Sequence, residues 1–170
     1  MAFLLLGAPW PRHNAWADVF DEYAVKAAYL YNFAKFVEWP ADRFASARTR
    51  LLICIAGDNP FAGALAALSG KRLEHRPVEV RHLPSATGLE SCHIVFVGRA
   101  DQWRFRTVLA KLAGLPILTV SDIGDFAQAG GMIGLVEADR RIRFDINLTA
   151  TRQANLKLSS QLLKLARIVD

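Results

Sequence analysis

The chain has 170 residues, of which 52% are apolar and 22% charged, and it carries a formal net charge of +5. That length supports one well-buried core and falls short of two domains. The apolar residues come in short segments broken by Gly, Pro and charged clusters, none reaching the roughly 20 residues of a membrane span, and Lys and Arg are interleaved with acids rather than run together.

At the start, residues 3–6 form a short apolar run, Pro9 and Pro11 break it, and Ala15-Trp16-Ala17 has the small-x-small form of a cleavage site. Residues 1–17 are therefore read as the end of a signal peptide, although its positively charged start is missing. Residues 18–170 are expected to form a single mature domain. From Asp18 onward Tyr23, Ala27, Leu30, Ala34 and Val37 recur at helical intervals until Trp39-Pro40 stops the pattern. A second set, Phe20, Tyr29, Phe33 and Phe36, widens the apolar surface beyond one stripe, which implies burial on two sides. Either the fold covers both sides, or Phe33, Phe36, Trp39 and Pro40 meet another chain.

Residues 51–56 (Leu-Leu-Ile-Cys-Ile-Ala) make a continuous apolar run, as expected of a central strand covered on both faces. Gly57-Asp58-Asn59-Pro60 turns into a predicted helix capped by Asp58 or Asn59 and ended by Gly70. Further strands are predicted at residues 77–83, 93–97 and 117–120. Helices are predicted over 100–113, closed by Gly114, and from Ser121 or Asp122 through Ala129. Gly130-Gly131 leads into a hairpin whose strands, 132–137 and 141–146, meet at a tight turn over 138–140. The chain then ends in helices, the last capped at Ser159 or Ser160 and carrying Leu162, Leu163, Leu165, Ala166 and Val169. Strands alternating with helices give an α/β domain of three layers. Its sheet is expected to be mostly parallel and twisted, with about five or six strands, one C-terminal antiparallel hairpin and helices on both faces.

Little in this framework assembles chemistry. Cys92 and His93 are adjacent, but neighbours on a strand point to opposite faces and cannot form a dyad. His75 and His82 lack metal-ligand spacing, and His13 leaves with the signal. The Gly57 turn lacks the glycine patterns of nucleotide-binding loops, and Gly130-Gly131 is better explained by a turn needing φ > 0 than by an anion cradle. No catalytic set, metal or cofactor is expected. For nucleic acid the nearest footprint is residues 99–106, where only Trp103 and Phe105 accompany three arginines, so no nucleic-acid partner is expected either.

Three features remain. Cys54 and Cys92 are an even pair, which in an exported chain favours a disulfide and in a cytoplasmic one would be two buried thiols. The bond would require the first and third strands to be neighbours in the sheet. Second, Arg141 and Arg143 alternate with Ile142 and Phe144, so with Asp145 and Asn147 they form a wet row. Arg141, Arg143 and Asn147 could hold an anionic small molecule, or they are an ordinary solvated face. Third, the aromatic end of the first helix is a candidate docking surface for a protein.

Six segments in order resemble the YfiR-like family of bacterial periplasmic proteins. They are residues 29–40 (YLYNFAKFVEWP), 57–61 (GDNPF), 118–122 (LTVSD), 130–133 (GGMI), 143–147 (RFDIN) and 158–166 (LSSQLLKLA). The resemblance spans residues 18–170. It implies a dimer-forming α/β protein of the periplasm that binds the extracytoplasmic sensor domain of an inner-membrane signalling protein. In the founding member that protein is a diguanylate cyclase, kept inactive, and release raises cyclic-di-GMP. Other members could serve other membrane sensors, such as histidine kinases. The founding member has a second disulfide, which two cysteines cannot provide here. The alternative is a periplasmic small-molecule sensor for an anionic ligand.

Overall fold

Helix α1 (Ala15–Phe36) runs without interruption until Val37, Trp39 and Pro40 draw the backbone into a short strand, β1 (Val37–Glu38). The structure, a computed structural model, describes residues 15–170, with side chains from residue 22 onward. Most of the expected signal segment, His13 and the side chain of Phe20 lie outside the described residues. Along α1 the predicted stripe is the buried one: Tyr23, Ala27, Leu30, Ala34 and Val37 all face the core.

The next elements are β2 (Leu51–Ala56), β3 (Arg72–Leu73), β4 (Arg76–Leu83), β5 (Ile94–Val97), helix α2 (Phe105–Leu112) and β6 (Leu118–Ser121). There follow the hairpin strands β7 (Ile133–Ala138) and β8 (Arg141–Asn147), then α3 (Leu148–Gln153), β9 (Lys157–Leu158), α4 (Ser160–Leu163) and β10 (Arg167–Val169). The main sheet has eight strands in the order β10-β8-β7-β6-β5-β2-β4-β3, and β1 pairs with β9 in a separate two-stranded sheet. All six strands expected from the sequence are in the main sheet, and β3 and β10 extend its edges. Pairing is parallel except at the β7-β8 hairpin and between β3 and β4.

Counting only β2, β4, β5, β6 and β7, the order is second-first-third-fourth-fifth, that of flavodoxin-like doubly wound sheets. The first strand thus lies beside the third. Leu51, Ile53 and Ile55 face α1, Phe61 and Trp39, while Cys54 and Ala56 face Val108, Leu112 and Phe126 on the α2 side. This two-sided burial is why β2 reads as unbroken apolar sequence.

Four local readings are corrected. The helix expected after Pro60 is only a 3-10 turn, Ala64–Ala67. Ala62 sits at φ 47°, outside the helical region, and Asn59 Oδ1 accepts from Phe61 N–H in a local turn instead of capping a helix. Residues 122–129 form turns, because Asp125 is at φ 56° and the Asp122 carboxylate is used elsewhere. The helix expected over 100–113 begins only at Phe105, after a separate 3-10 turn at Arg99–Asp101. Finally, Ser159 Oγ caps α4 through Leu162 N–H as anticipated, but the helix stops at Leu163 and the chain returns as β10. Pairing with β8 satisfies an otherwise open strand edge, and that outweighs one more helical turn. The tight hairpin turn is real, with Asp139 and Arg140 at φ 51° and 59° as a two-residue type I′ loop requires.

Candidate functional site

Open α/β sheets usually bind ligands outside the carboxyl ends of their strands, where strand order reverses. In this chain that place lies between β2 and β5, and it is built over. Gly57 leaves β2 at φ 84°, and a Cβ there would run into the Asp101 carboxylate. That carboxylate instead accepts from Asp58 N–H at 2.7 Å and pairs with Arg104 at 3.0 Å. His82 Nε2 donates to Gly57 O at 2.6 Å.

Beside it, Asp122 at the end of β6 draws α1 onto the sheet. Its Oδ1 accepts from Arg99 N–H at 2.8 Å. Its Oδ2 accepts from Lys26 Nζ at 2.6 Å, Tyr23 OH at 3.0 Å and Arg99 Nε at 3.2 Å. Glu22 closes the network by pairing with both Lys26 and Arg99. Lys26 is 1% exposed. Burial alone would raise the Asp122 carboxyl, but hydrogen bonding and charge from Lys26, Arg99 and Tyr23 outweigh it and hold the group below the usual carboxylate range. Burial, then the neighbouring Asp122 charge, pushes the Tyr23 phenol far above its ordinary value. A buried charge cluster is tolerated only when its members are mutually satisfied. The ammonium and phenol of the protein's own helix occupy the place a ligand would take.

Sequence reasoning missed this cluster. Its one sign was Lys26, a charged residue set between Tyr23 and Leu30 on the buried stripe of α1.

The wet row on β8 is shorter than expected. Arg141 and Arg143 are exposed, with Arg143 Nη2 at 4.0 Å from Asp139. Asn147 is 7% exposed and fully used: its Oδ1 caps α3 by accepting from Ala150 N–H at 2.8 Å, and its Nδ2 donates to Ala127 O at 2.9 Å. Asp145 is covered by Arg167, which donates to it at 2.9 and 2.5 Å. Asn147 therefore holds the backbone together and presents no group to a ligand.

The aromatic end of α1 also divides. Phe33 is fully buried between Tyr29 and Phe144, at ring separations of 5.6 and 5.2 Å. Trp39 packs edge-on to Phe44 and His93. Phe36 and Pro40 are half-buried. Phe36 and Trp39 line a groove of about 790 Å³ between α1, β1 and β9 on one side and β3 and the start of β4 on the other. Lys35, Arg72, Arg76 and Lys157 stand around it with Glu38 and Glu74. Arg76 lies over the Phe44 ring at 3.8 Å and donates to Ser46 O at 2.6 Å.

Behind the groove, His93 stacks on Phe44 at 4.5 Å, and its Nδ1 accepts from Leu52 N–H at 3.1 Å. Burial, with the Arg43 guanidinium adding to it, pushes His93 down to about 4. Cys92 turns the opposite way and is bonded to Cys54, with Cα atoms 6.0 Å apart across neighbouring strands. Neither sulfur is free, so neither is a nucleophile. In the 99–106 stretch Arg99 and Arg104 are committed to carboxylates and Phe105 is buried, leaving Trp103 as its exposed aromatic residue. Among the described residues no group of three or more His, Cys, Asp or Glu could hold a metal ion.

Residues 23–167 match the YfiR/HmsC-like family. The chain belongs to that family. Several segments that carry the likeness turn out to be the structural fixtures just described. Gly57 allows the approach of Asp101, Asp122 anchors α1, and Ser159 caps α4. Gly130 takes φ 104°, and Gly131 leaves room for the Phe126 ring. What the YfiR/HmsC-like motifs specify is therefore largely the framework. The groove is built partly on these same segments, since Tyr31, Lys35, Phe36 and Trp39 lie within residues 29–40.

Proposed function

We propose that this YfiR/HmsC-like protein is a periplasmic regulator that binds the extracytoplasmic sensor domain of an inner-membrane diguanylate cyclase and holds the cyclase inactive. Family membership over residues 23–167 is the observation that carries this reading. The Cys54–Cys92 bond supports an oxidising compartment, since such bonds persist outside the cytoplasm. Among the described residues no helix is long and apolar enough to cross a membrane, which is compatible with a protein that meets its membrane partner from outside. The protein acts as a homodimer in this reading, and the partner contacts the surface around Phe36, Trp39 and Pro40.

Deleting the gene is expected to raise cellular cyclic-di-GMP, and restoring the wild-type chain to lower it again. Unchanged cyclic-di-GMP after deletion, with no association between the tagged chain and a membrane cyclase, would overturn the reading. The anionic-ligand alternative now rests on Arg141 and Arg143 alone, because Asn147 is spent on capping.

A further inference from the structure

The groove at Phe36 and Trp39 continues along α1. It shares Tyr31 and Lys35 with a second depression of about 450 Å³, floored by Ala24, Ala27 and Ala28 and facing Ala64 and Ala67. Ala24 to Phe36 is twelve helical steps, or about 18 Å at 1.5 Å per residue. That is the length of five or six residues of extended chain at about 3.3 Å each. A trough of this length suits a stretch of polypeptide better than a compact metabolite.

Its rim is cationic. Lys35, Lys71, Arg72, Arg76 and Lys157 line it against Glu38 and Glu74. Among the described residues none of these five cations is within 4.0 Å of a carboxylate, whereas Arg50, Arg81, Arg99, Arg104 and Arg167 all are. Lys35 and Lys71 rest on the Tyr31 ring, at 4.5 and 5.0 Å, so their charges stand together where the two depressions join. Trp39, 8% exposed in the groove wall, keeps a buried indole N–H with no acceptor. The trough thus combines an apolar floor with a rim on which five cations outnumber two carboxylates.

We propose that this trough binds an extended acidic segment of a partner protein. The segment's carboxylates meet Lys35, Lys71, Arg72 and Lys157, and its apolar side chains lie against Phe36, Trp39 and the alanine floor. The proposal rests on the regulator reading only for the existence of a protein partner. The chemistry of the segment follows from the charge and shape of the trough.

The test uses the full chain and a displayed random library of peptides about ten residues long, enough to overfill the trough. Selected peptides are expected to be enriched in Asp and Glu interspersed with apolar residues. Their binding, read by fluorescence anisotropy, should weaken as salt is raised. The double variant K35E/K157E changes two exposed side chains, so it should keep its circular dichroism spectrum while losing at least about tenfold in affinity. Peptides without acidic enrichment, or equal binding by K35E/K157E, would overturn the proposal. So would displacement of the peptides by citrate at matching concentrations, which would make the site one for small anions.

The same variant separates this proposal from the regulator reading. If deletion raises cyclic-di-GMP and K35E/K157E restores it fully, the trough is refuted and the regulator stands. If deletion leaves cyclic-di-GMP unchanged while peptide selection behaves as expected, the trough stands and the cyclase reading falls.

Discussion

At the carboxyl ends of its strands the sheet is closed by charge, with Lys26, Arg99, Glu22, Tyr23 and Asp122 satisfying one another. Near the amino ends it is held by the Cys54–Cys92 bond on one face, while on the other face Lys35, Arg72, Arg76 and Lys157 stand around an open groove. The same helix serves both regions. Near its start α1 directs polar groups inward and leaves nothing for a ligand, and near its end it leaves them outward and uncommitted. The disulfide lies on the α2 side, and on the opposite face the groove cations are left without carboxylate partners within 4.0 Å among the described residues.

The largest expected effect tests that fastening. A chain-entropy argument for a bridge spanning a separation of 38 residues gives a stabilisation of about 4 kcal/mol. Urea unfolding of Cys54→Ser, or of the reduced wild type, should show a loss of that order. A loss well under 1 kcal/mol would mean that the bond does not fasten this end.

Next in size, Lys26→Met leaves Asp122 and Glu22 with one cationic partner fewer, and removing one member of a buried ion cluster costs about 3 kcal/mol. Lys35→Met, on the same helix but over the groove, should fall within about 0.5 kcal/mol of wild type. Equal effects in urea or thermal unfolding would abolish the contrast between the two regions.

The smallest effect sharpens the contrast by pH. His93 is held at about 4 against an ordinary 6.5, so between those values the unfolded chain binds a proton that the folded chain does not. Stability from His93 is therefore full above pH 6.5 and declines as pH falls toward 4, by about 2 kcal/mol between pH 7 and pH 5. Asp122 is shifted the same way from a lower starting point. Its contribution is present above the ordinary carboxylate value and is lost only as pH falls below it. The groove side should thus soften first on acidification. Urea midpoints measured across this range should flatten in His93→Asn, which keeps an acceptor near Leu52 N–H. An unchanged slope would remove His93 as its cause.

Much of the framework was legible because burial leaves a period in the sequence. The unbroken run of β2, the alternation of Ile142, Phe144 and Ile146 on β8, and the stripe from Tyr23 to Val37 each follow from which faces are covered. The failures share a different cause. Ala62 and Asp125 adopt left-handed backbone without being glycine, so local propensity points the wrong way at both. Val169 reads as helix because an apolar cluster of a few residues fits either period, and the open edge of β8 decides for a strand.

The candidate site was half legible. Phe36 and Trp39 were singled out and do line the groove, but Phe33 spends its ring on the core and Asn147 on a helix cap. Lys35, Arg72 and Lys157 come from three separate elements, and their convergence is visible only once β1 pairs with β9.

The clasp between Lys26 and Asp122 joins residues 96 positions apart. Closing so long a loop costs entropy before the contact returns anything. α1 is made before the sheet it is to seal, and its inward-facing Lys26 has no buried partner until β6 is in place. The clasp therefore rewards a nearly finished sheet and gives little help in finding one. In kinetic terms it belongs to the slow, non-local contacts that hold a folded chain shut.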